Sequence, residues 1–230
     1  MKFIYRTSES GYNKVKPEYI NNETCLQNFC NVFYKHINDI YVIADNCSDF
    51  TIDMIAKYII PENIEKVSIG NGAGTFNLAF DKALEWDDDE IVYFIENDYL
   101  HVEESDKILL EGFNLGSSFI SLYDHPDKYI DGVNPFVEGG GEVTKVFLTN
   151  SCHWKFTNST TMTFAAKIST LKQYRDVFKK WTSTSHPHDF EMWIELREMG
   201  TSLITPIPGY ATHGETAWLC PLINWENKIK

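Results

Sequence analysis

Apolar and polar positions along the chain alternate between two kinds of segment. Short, mostly apolar runs at 2–5, 40–44 and 67–69 read as strands, and the unbroken apolar run at 91–95 reads as a strand buried on both faces. Between them, apolar residues recur three and four positions apart, the spacing of amphipathic helices. The first such stretch carries Leu26, Phe29, Cys30, Phe33 and Ile37, with Thr24 and Gln27 as a capping box. In the second, Ser48 is the cap, Ile52, Ile55, Ala56 and Ile59 form the stripe, and Pro61 stops it. The third follows a glycine-bearing turn at 70–74 and carries Phe76, Ala79, Phe80, Ala83 and Leu84. This alternation predicts an α/β fold with a mostly parallel central sheet and helices on both faces.

The second half is less regular. A helix at 105–113 and a strand at 119–123 continue the series, and 145–148 reads as a strand crossing the sheet. Thr170 with Gln173 caps a helix bearing Leu171, Tyr174, Phe178 and Trp181. A helix over 186–199 puts Phe190, Trp193 and Ile194 inward and Glu191, Glu195 and Glu198 outward before Gly200 ends it. A last strand at 203–207 turns at Pro208 and Gly209. The run Gly139, Gly140, Gly141 reads as a loop.

Length and charge narrow the function. The 230 residues suit one large domain. A net charge of -13 argues against a nucleic-acid binder, which needs clustered Lys and Arg for the phosphate backbone. The five cysteines are odd in number and scattered, as expected of reduced thiols. The first residues lack a signal-peptide core, and no apolar run approaches the roughly 20 residues of a spanning helix. A cytoplasmic protein with no transmembrane segment is the expectation.

Polar residues cluster where apolar strands end: Arg6 and Thr7, Asp45 and Asn46, Asn71 and Gly72, Glu96, Asn97 and Asp98, and Asp124 and His125. In an open α/β sheet the carboxyl ends of the strands are where ligands bind. Glu96 and Asp98 are two apart, so in an extended segment both can face one hard cation.

Four segments together resemble the family 2 glycosyltransferases. DNCSDFT at 45–51 is similar to the family's Asp-x-x-Ser-x-Asp-x-Thr signature after the second strand. NGAGTFNLAFDKAL at 71–84 looks like its Asn-x-Gly turn and following helix with an internal Asn, here Asn77. ENDY at 96–99 falls where the family has its Asp-x-Asp metal motif, with Glu in place of the first Asp. HDFEMWIELREMG at 188–200 resembles the acidic helix that supplies its catalytic base.

The resemblance implies a single GT-A domain, with a nucleotide-binding half at 1–101, an acceptor-binding half at 102–218 and a C-terminal tail at 219–230. It implies an inverting, hexosyltransferase-type transfer from a nucleotide sugar, by family habit UDP-linked, to a hydroxyl of a glycan or glycoprotein, with Mn2+ or Mg2+ as cofactor. Arg6, Thr7, Asp45, Asn46, Asn71, Gly72, Asn77, Glu96 and Asn97 would hold the donor. Asp98 would bind the metal, with Glu96 bound directly or through water, and His213 as a further ligand. Asp189 is the first choice for the base and Glu191 the second, because an acceptor hydroxyl needs a carboxylate to take its proton. His153, Trp154 and Trp181 are candidates for stacking on the acceptor. The Gly139 to Gly141 run is either the hinge of a loop over the donor or a plain surface loop. Two other readings stand beside this one: a non-catalytic nucleotide-sugar or glycan binding module on the same fold, and a zinc hydrolase built on His186, His188, Asp189 and His213.

Overall fold

The computed structural model of the chain describes residues 1–9 and 14–229. Its first half alternates as predicted: β1 (Lys2–Ser8), α1 (Asn22–Val32), β2 (Ile40–Asp45), α2 (Asp49–Ile55), β3 (Ile64–Val67), α3 (Gly72–Ala83) and β4 (Ile91–Glu96). There follow β5 (Tyr99–His101), α4 (Ser105–Asn114), β6 (Phe119–Ile120), β7 (Val146–Leu148), β8 (His153–Phe156) and β9 (Phe164–Lys167). The chain finishes with α5 (Ile168–Gln173), α6 (Arg175–Trp181), α7 (Asp189–Glu198), β10 (Leu203–Ile207) and β11 (Ala211–His213).

Nine strands form one sheet in the order β3-β2-β1-β4-β9-β6-β10-β8-β7. The four strands of the first half are mutually parallel. β9 runs against both its neighbours and β8 against both of its own, so seven of the nine strands share one direction. Both faces are covered. Phe3, Tyr5, Tyr93 and Ile95 point to one face with α1 side chains such as Phe29, while Ile4, Val92 and Phe94 point to the other with Phe76, Phe178 and Trp193. Each such side chain contributes about 1.5–3 kcal/mol relative to exposure, so burying consecutive residues on opposite faces stabilises β1 and β4 from both sides. That is why their sequences read as unbroken apolar runs.

Several predicted boundaries shift, each for a local reason. The cap of α1 is Asn21, whose side chain accepts the Thr24 amide at 2.9 Å, so the helix starts ahead of the expected capping box. β3 ends at Val67 instead of running over 67–69, because the amides of Ile69 and Gly70 turn onto the Asp45 carboxylate. β6 stops at Ile120, and the Ser121 hydroxyl takes up the Tyr123 amide. Thr170 is inside α5, which starts at Ile168, and the predicted single helix breaks at Tyr174. β7 lies at the sheet edge rather than crossing it. β8 and β9 fall in the stretch where the pattern predicted no regular element.

A second, two-stranded sheet pairs β5 with β11, setting His213 opposite Tyr99. The Asn28 side chain holds β5 to α1 by bonding both the amide and the carbonyl of His101. These contacts fix the turn at Glu96 to Tyr99 from two sides.

Candidate active site

The carboxyl ends of β1, β2 and β4 open on one cleft of about 770 Å³. Arg6, Asp45, Asn71, Glu96, Asp98 and His186 line it, so strand ends 90 residues apart in the chain meet as predicted. A second cavity, of about 730 Å³, lies between the 142–145 segment and α7 and contains none of the predicted donor or metal residues. The polar chemistry assigns the site to the first.

Arg6 is buried and organises the cleft floor. Its guanidinium pairs with Glu96 at 3.3 Å, donates to the carbonyls of Gly72 at 3.3 Å and Met162 at 3.5 Å, and lies over the Phe76 ring. Burial pushes its pKa down while the Glu96 charge opposes that shift. Thr7 lines the cleft beside it. Asp45, also buried, accepts the amides of Ile69 at 2.6 Å and Gly70 at 2.8 Å. It thereby closes the turn into α3, where Gly70 has φ +76° and a side chain would be strained. Asn46, expected among the donor residues, is exposed and does not line the cleft, with its amide on Asp45 at 3.2 Å. Asn71 caps α3 by accepting the Gly74 amide at 2.7 Å, and Gly72 opens that helix. The cleft thus receives the positive end of the α3 dipole. Asn97 bridges to the Ser8 carbonyl at 3.1 Å and Asn22 at 2.7 Å, tying the β4 turn to β1 and α1.

Asp98 is the focus of the second polar group. The β5–β11 pairing brings His213 Nε2 to 3.3 Å from Asp98 Oδ2. Gly214 permits this approach, since a Cβ there would lie 2.7 Å from the Asp98 carbonyl. Two groups were not anticipated: Lys16 Nζ at 3.1 Å and Lys14 Nζ at 3.4 Å, both on the same Asp98 oxygen. Lys14 Nζ is also 2.9 Å from His213 Nε2. Burial opposes ionisation of Asp98, but His213 and the two lysines outweigh it and hold the carboxyl well below the usual range. Lysines 14 and 16 lie in a polar loop with no periodicity. The only sequence signal for them is a basic pair in an acidic chain.

Asp189 is the first residue of α7, and its carboxylate accepts the Phe190 amide at 2.9 Å. Burial, with the Glu96 charge adding to it, pushes its pKa up to about 6. Glu191 is exposed.

Four expectations change. Asn77 spends both ends of its amide on Thr182, at 2.9 and 3.0 Å, and clamps α3 to the end of α6 instead of reaching the cleft. Glu96 turns to Arg6 and Thr163 rather than converging with Asp98. Trp154 is fully buried against Gly112, so it offers no stacking face to an acceptor. The glycine run is held in a tight turn, with the Gly140 amide on Asp131 at 2.8 Å, and its flank at 142–145 lines the second cavity, away from the donor cleft. Among the described residues no three His, Cys, Asp or Glu side chains converge on one point, which leaves the zinc-hydrolase set unassembled.

The residues at Asp98 do not fit a divalent cation as they stand. The donors that meet there are one carboxylate and one imidazole, and both already face ammonium groups.

No protein-family model matches the chain, and no curated protein matches it in sequence. Solved structures do match in fold. GalNAc-T7, solved with UDP, GalNAc and Mn2+, aligns with a TM-score of 0.60 at 11% identity over 95% of this chain and 44% of that one. The chain therefore spans less than half the length of that enzyme. TarS 1-349 of S. aureus with UDP gives 0.49 at 17% identity over 89% and 57% of the two chains. The 4-diphosphocytidyl-2C-methyl-D-erythritol synthase of Anaerococcus prevotii gives 0.49 at 14% over 99% and 93%. The α/β architecture is that of the GT-A nucleotide-diphospho-sugar transferases.

Proposed function

We propose that the chain is a glycosyltransferase that moves a sugar from a nucleotide-sugar donor, UDP-linked, to a hydroxyl of a glycan or glycoprotein with inversion. One observation carries this reading. On a GT-A sheet, the strand-end residues Arg6, Asp45, Asn71, Glu96 and Asp98 surround a single cleft, and a carboxylate with a raised pKa, Asp189, lies close enough to Glu96 to feel its charge.

In the proposed reaction the nucleoside sits between Thr7 and the Gly70 to Gly72 turn, which Asp45 holds rigid. The diphosphate lies toward the α3 amino end and the Asp98 group. Asp189 takes the acceptor proton as the acceptor oxygen attacks the anomeric carbon. A pKa near 6 leaves it ionised at neutral pH while making it a better base than a solvated aspartate. No step is routed through a metal ion.

The test is a nucleoside-diphosphate release assay over UDP-, GDP-, dTDP- and CDP-sugars, with and without a panel of glycans. Release from one donor class, accelerated by an acceptor, is expected. Binding of a donor without release, with every acceptor tried, would replace the enzyme reading with a binding module.

A further inference from the structure

We infer that the second cavity, along α7, binds a sugar unit that carries a carboxylate, and that this unit belongs to the acceptor chain. The second clause rests on the proposed function and names the class of acceptor it would use.

Asp189, Trp193 and Arg197 are spaced four apart on α7, so they follow one side of the helix. Trp193 and Arg197 line the cavity of about 730 Å³, a size suited to a small organic ligand. At about 1.5 Å of rise per residue they stand roughly 6 and 12 Å along the axis from the proposed base. Phe190, next to that base, packs with its ring centroid 6.3 Å from Phe136 on the cavity wall. A glycan held at Arg197 therefore presents a neighbouring unit, not the bound one, toward Asp189.

The lining selects the ligand, because most of its polar side chains are already engaged within the protein. Glu142 accepts the Thr157 hydroxyl at 3.2 Å and the Asn158 amide at 2.8 Å, and it pairs with Lys155 at 3.3 Å. The Thr144 and Thr201 hydroxyls donate to the carbonyls of Phe156 at 2.7 Å and Leu196 at 2.8 Å. Lys145 lies over the Phe147 ring at 5.0 Å. Two donors remain. Arg197 lies over the Phe136 ring at 5.4 Å and pairs with no carboxylate among the described residues. The indole N–H of the buried Trp193 meets no acceptor among them either. A buried donor without an acceptor is costly, and a ligand oxygen relieves that cost.

A carboxylate fits the guanidinium fork with two parallel hydrogen bonds. The threonine hydroxyls, whose protons go to protein oxygens, keep lone pairs that accept from ligand hydroxyls. Phe136 and Phe156, 45% and 38% exposed, offer flat apolar faces on which the C–H side of a sugar ring packs. Carboxylate, hydroxyls and an apolar side together describe a uronate. A neutral sugar would leave Arg197 without its anion, and a phosphate would bring further negative charge against apolar walls.

Two-dimensional NMR of the chain, isotope-labelled at the tryptophan nitrogens, tests this directly. The Trp193 indole signal is identified by its loss in Trp193→Phe. Glucuronate, galacturonate, glucose and glucose 6-phosphate are titrated in turn, up to concentrations that saturate a millimolar complex. At least one uronate is expected to move the Trp193 signal saturably, and glucose to leave it in place. Arg197→Met should weaken that binding by at least about tenfold, and Arg197→Lys should weaken it less, since an ammonium keeps the charge without the fork. Arg197 is exposed, so both variants are expected to fold, which circular dichroism checks. Equal binding of glucose, tighter binding of the phosphate than of either uronate, no shift with any of the four, or a uronate shift that survives Arg197→Met overturns the inference. The nucleoside-diphosphate release assay reads the transferase proposal separately. Release without uronate binding keeps that proposal and removes this one, whereas uronate binding without release from any donor keeps the site and removes its assignment to an acceptor.

Discussion

Two groups of lysines and carboxylates lie on opposite sides of this sheet's midline, and they differ in burial. At the cleft, Lys14 and Lys16, both partly exposed, meet on one oxygen of Asp98. Beyond β6, Lys155 lies between Asp124 at 3.0 Å and Glu142 at 3.3 Å, and Lys128 pairs with Asp127 at 3.1 Å and donates to Ser159 at 2.8 Å. Both of these lysines and Asp124 are buried. Carboxylates there outnumber ammonium groups three to two, with His125 also against Asp127 at 2.8 Å. A sealed set in which each lysine meets at least one carboxylate pins the irregular 124–145 segment to β8. A set whose lysines reach the cleft surface stays accessible to a ligand. Burial raises the cost of separating ions in the first case and leaves the second available for exchange.

The largest effect expected is on turnover. Asp189→Asn should lower transfer by roughly 10²- to 10⁴-fold with nucleotide affinity unchanged, because it removes proton acceptance while an amide oxygen can still take the Phe190 amide. Unchanged turnover would dismiss Asp189 as the base. The same residue sets a sign for stability. Its folded pKa, about 6, lies above its ordinary value, so the native state binds the proton more tightly and loses stability as pH rises toward 6. Above that pH the asparagine variant should therefore match or exceed the wild type in urea unfolding, and the gain should vanish below about pH 4.

Next comes the sealed set. Lys155→Met strands Asp124 and Glu142 and should cost about 3–5 kcal/mol in denaturant unfolding. Lys16→Met, which removes a partly exposed lysine and leaves Lys14 and His213 against the buried Asp98, should cost less, about 1 kcal/mol. Equal losses would erase the distinction between the two groups. Smaller again is the pH profile: turnover under subsaturating donor should fall about tenfold per unit below pH 6, as Asp189 takes up a proton. A flat profile from pH 5 to 8 would point away from a carboxylate base. Asn77→Ala should leave nucleotide affinity untouched and cost about 1 kcal/mol of stability through its lost bonds to Thr182.

The parallel half of the sheet was legible because burial on both faces writes itself as apolar runs, and the polar break after each run marks a strand end. Arg6, Asp45, Asn71 and Glu96 were found that way. β8 and β9 were missed because their short segments, HWKF and FAAK, mix polar and small residues and depend on neighbours for their pairing. Asn77 misled for the opposite reason: its sequence context resembles a donor-binding helix, but its amide meets α6, which lies more than 90 residues further along.

By itself, then, the sequence determined the elements whose burial is two-sided and the strand ends where carboxylates and amides gather. The expectation that Asp98 and His213 share one site came from the family resemblance and not from the pattern, and 115 positions separate them. Only the tertiary structure decided which partner each polar group takes. Asp45 turned to the backbone of Ile69 and Gly70, Glu96 to Arg6, and Asp98 to two lysines from a loop without pattern. Periodicity records which side of an element is buried, a property each segment carries alone. Pairing of charges depends on distances of a few ångströms between segments far apart in the chain, and those exist only once the sheet has closed around them.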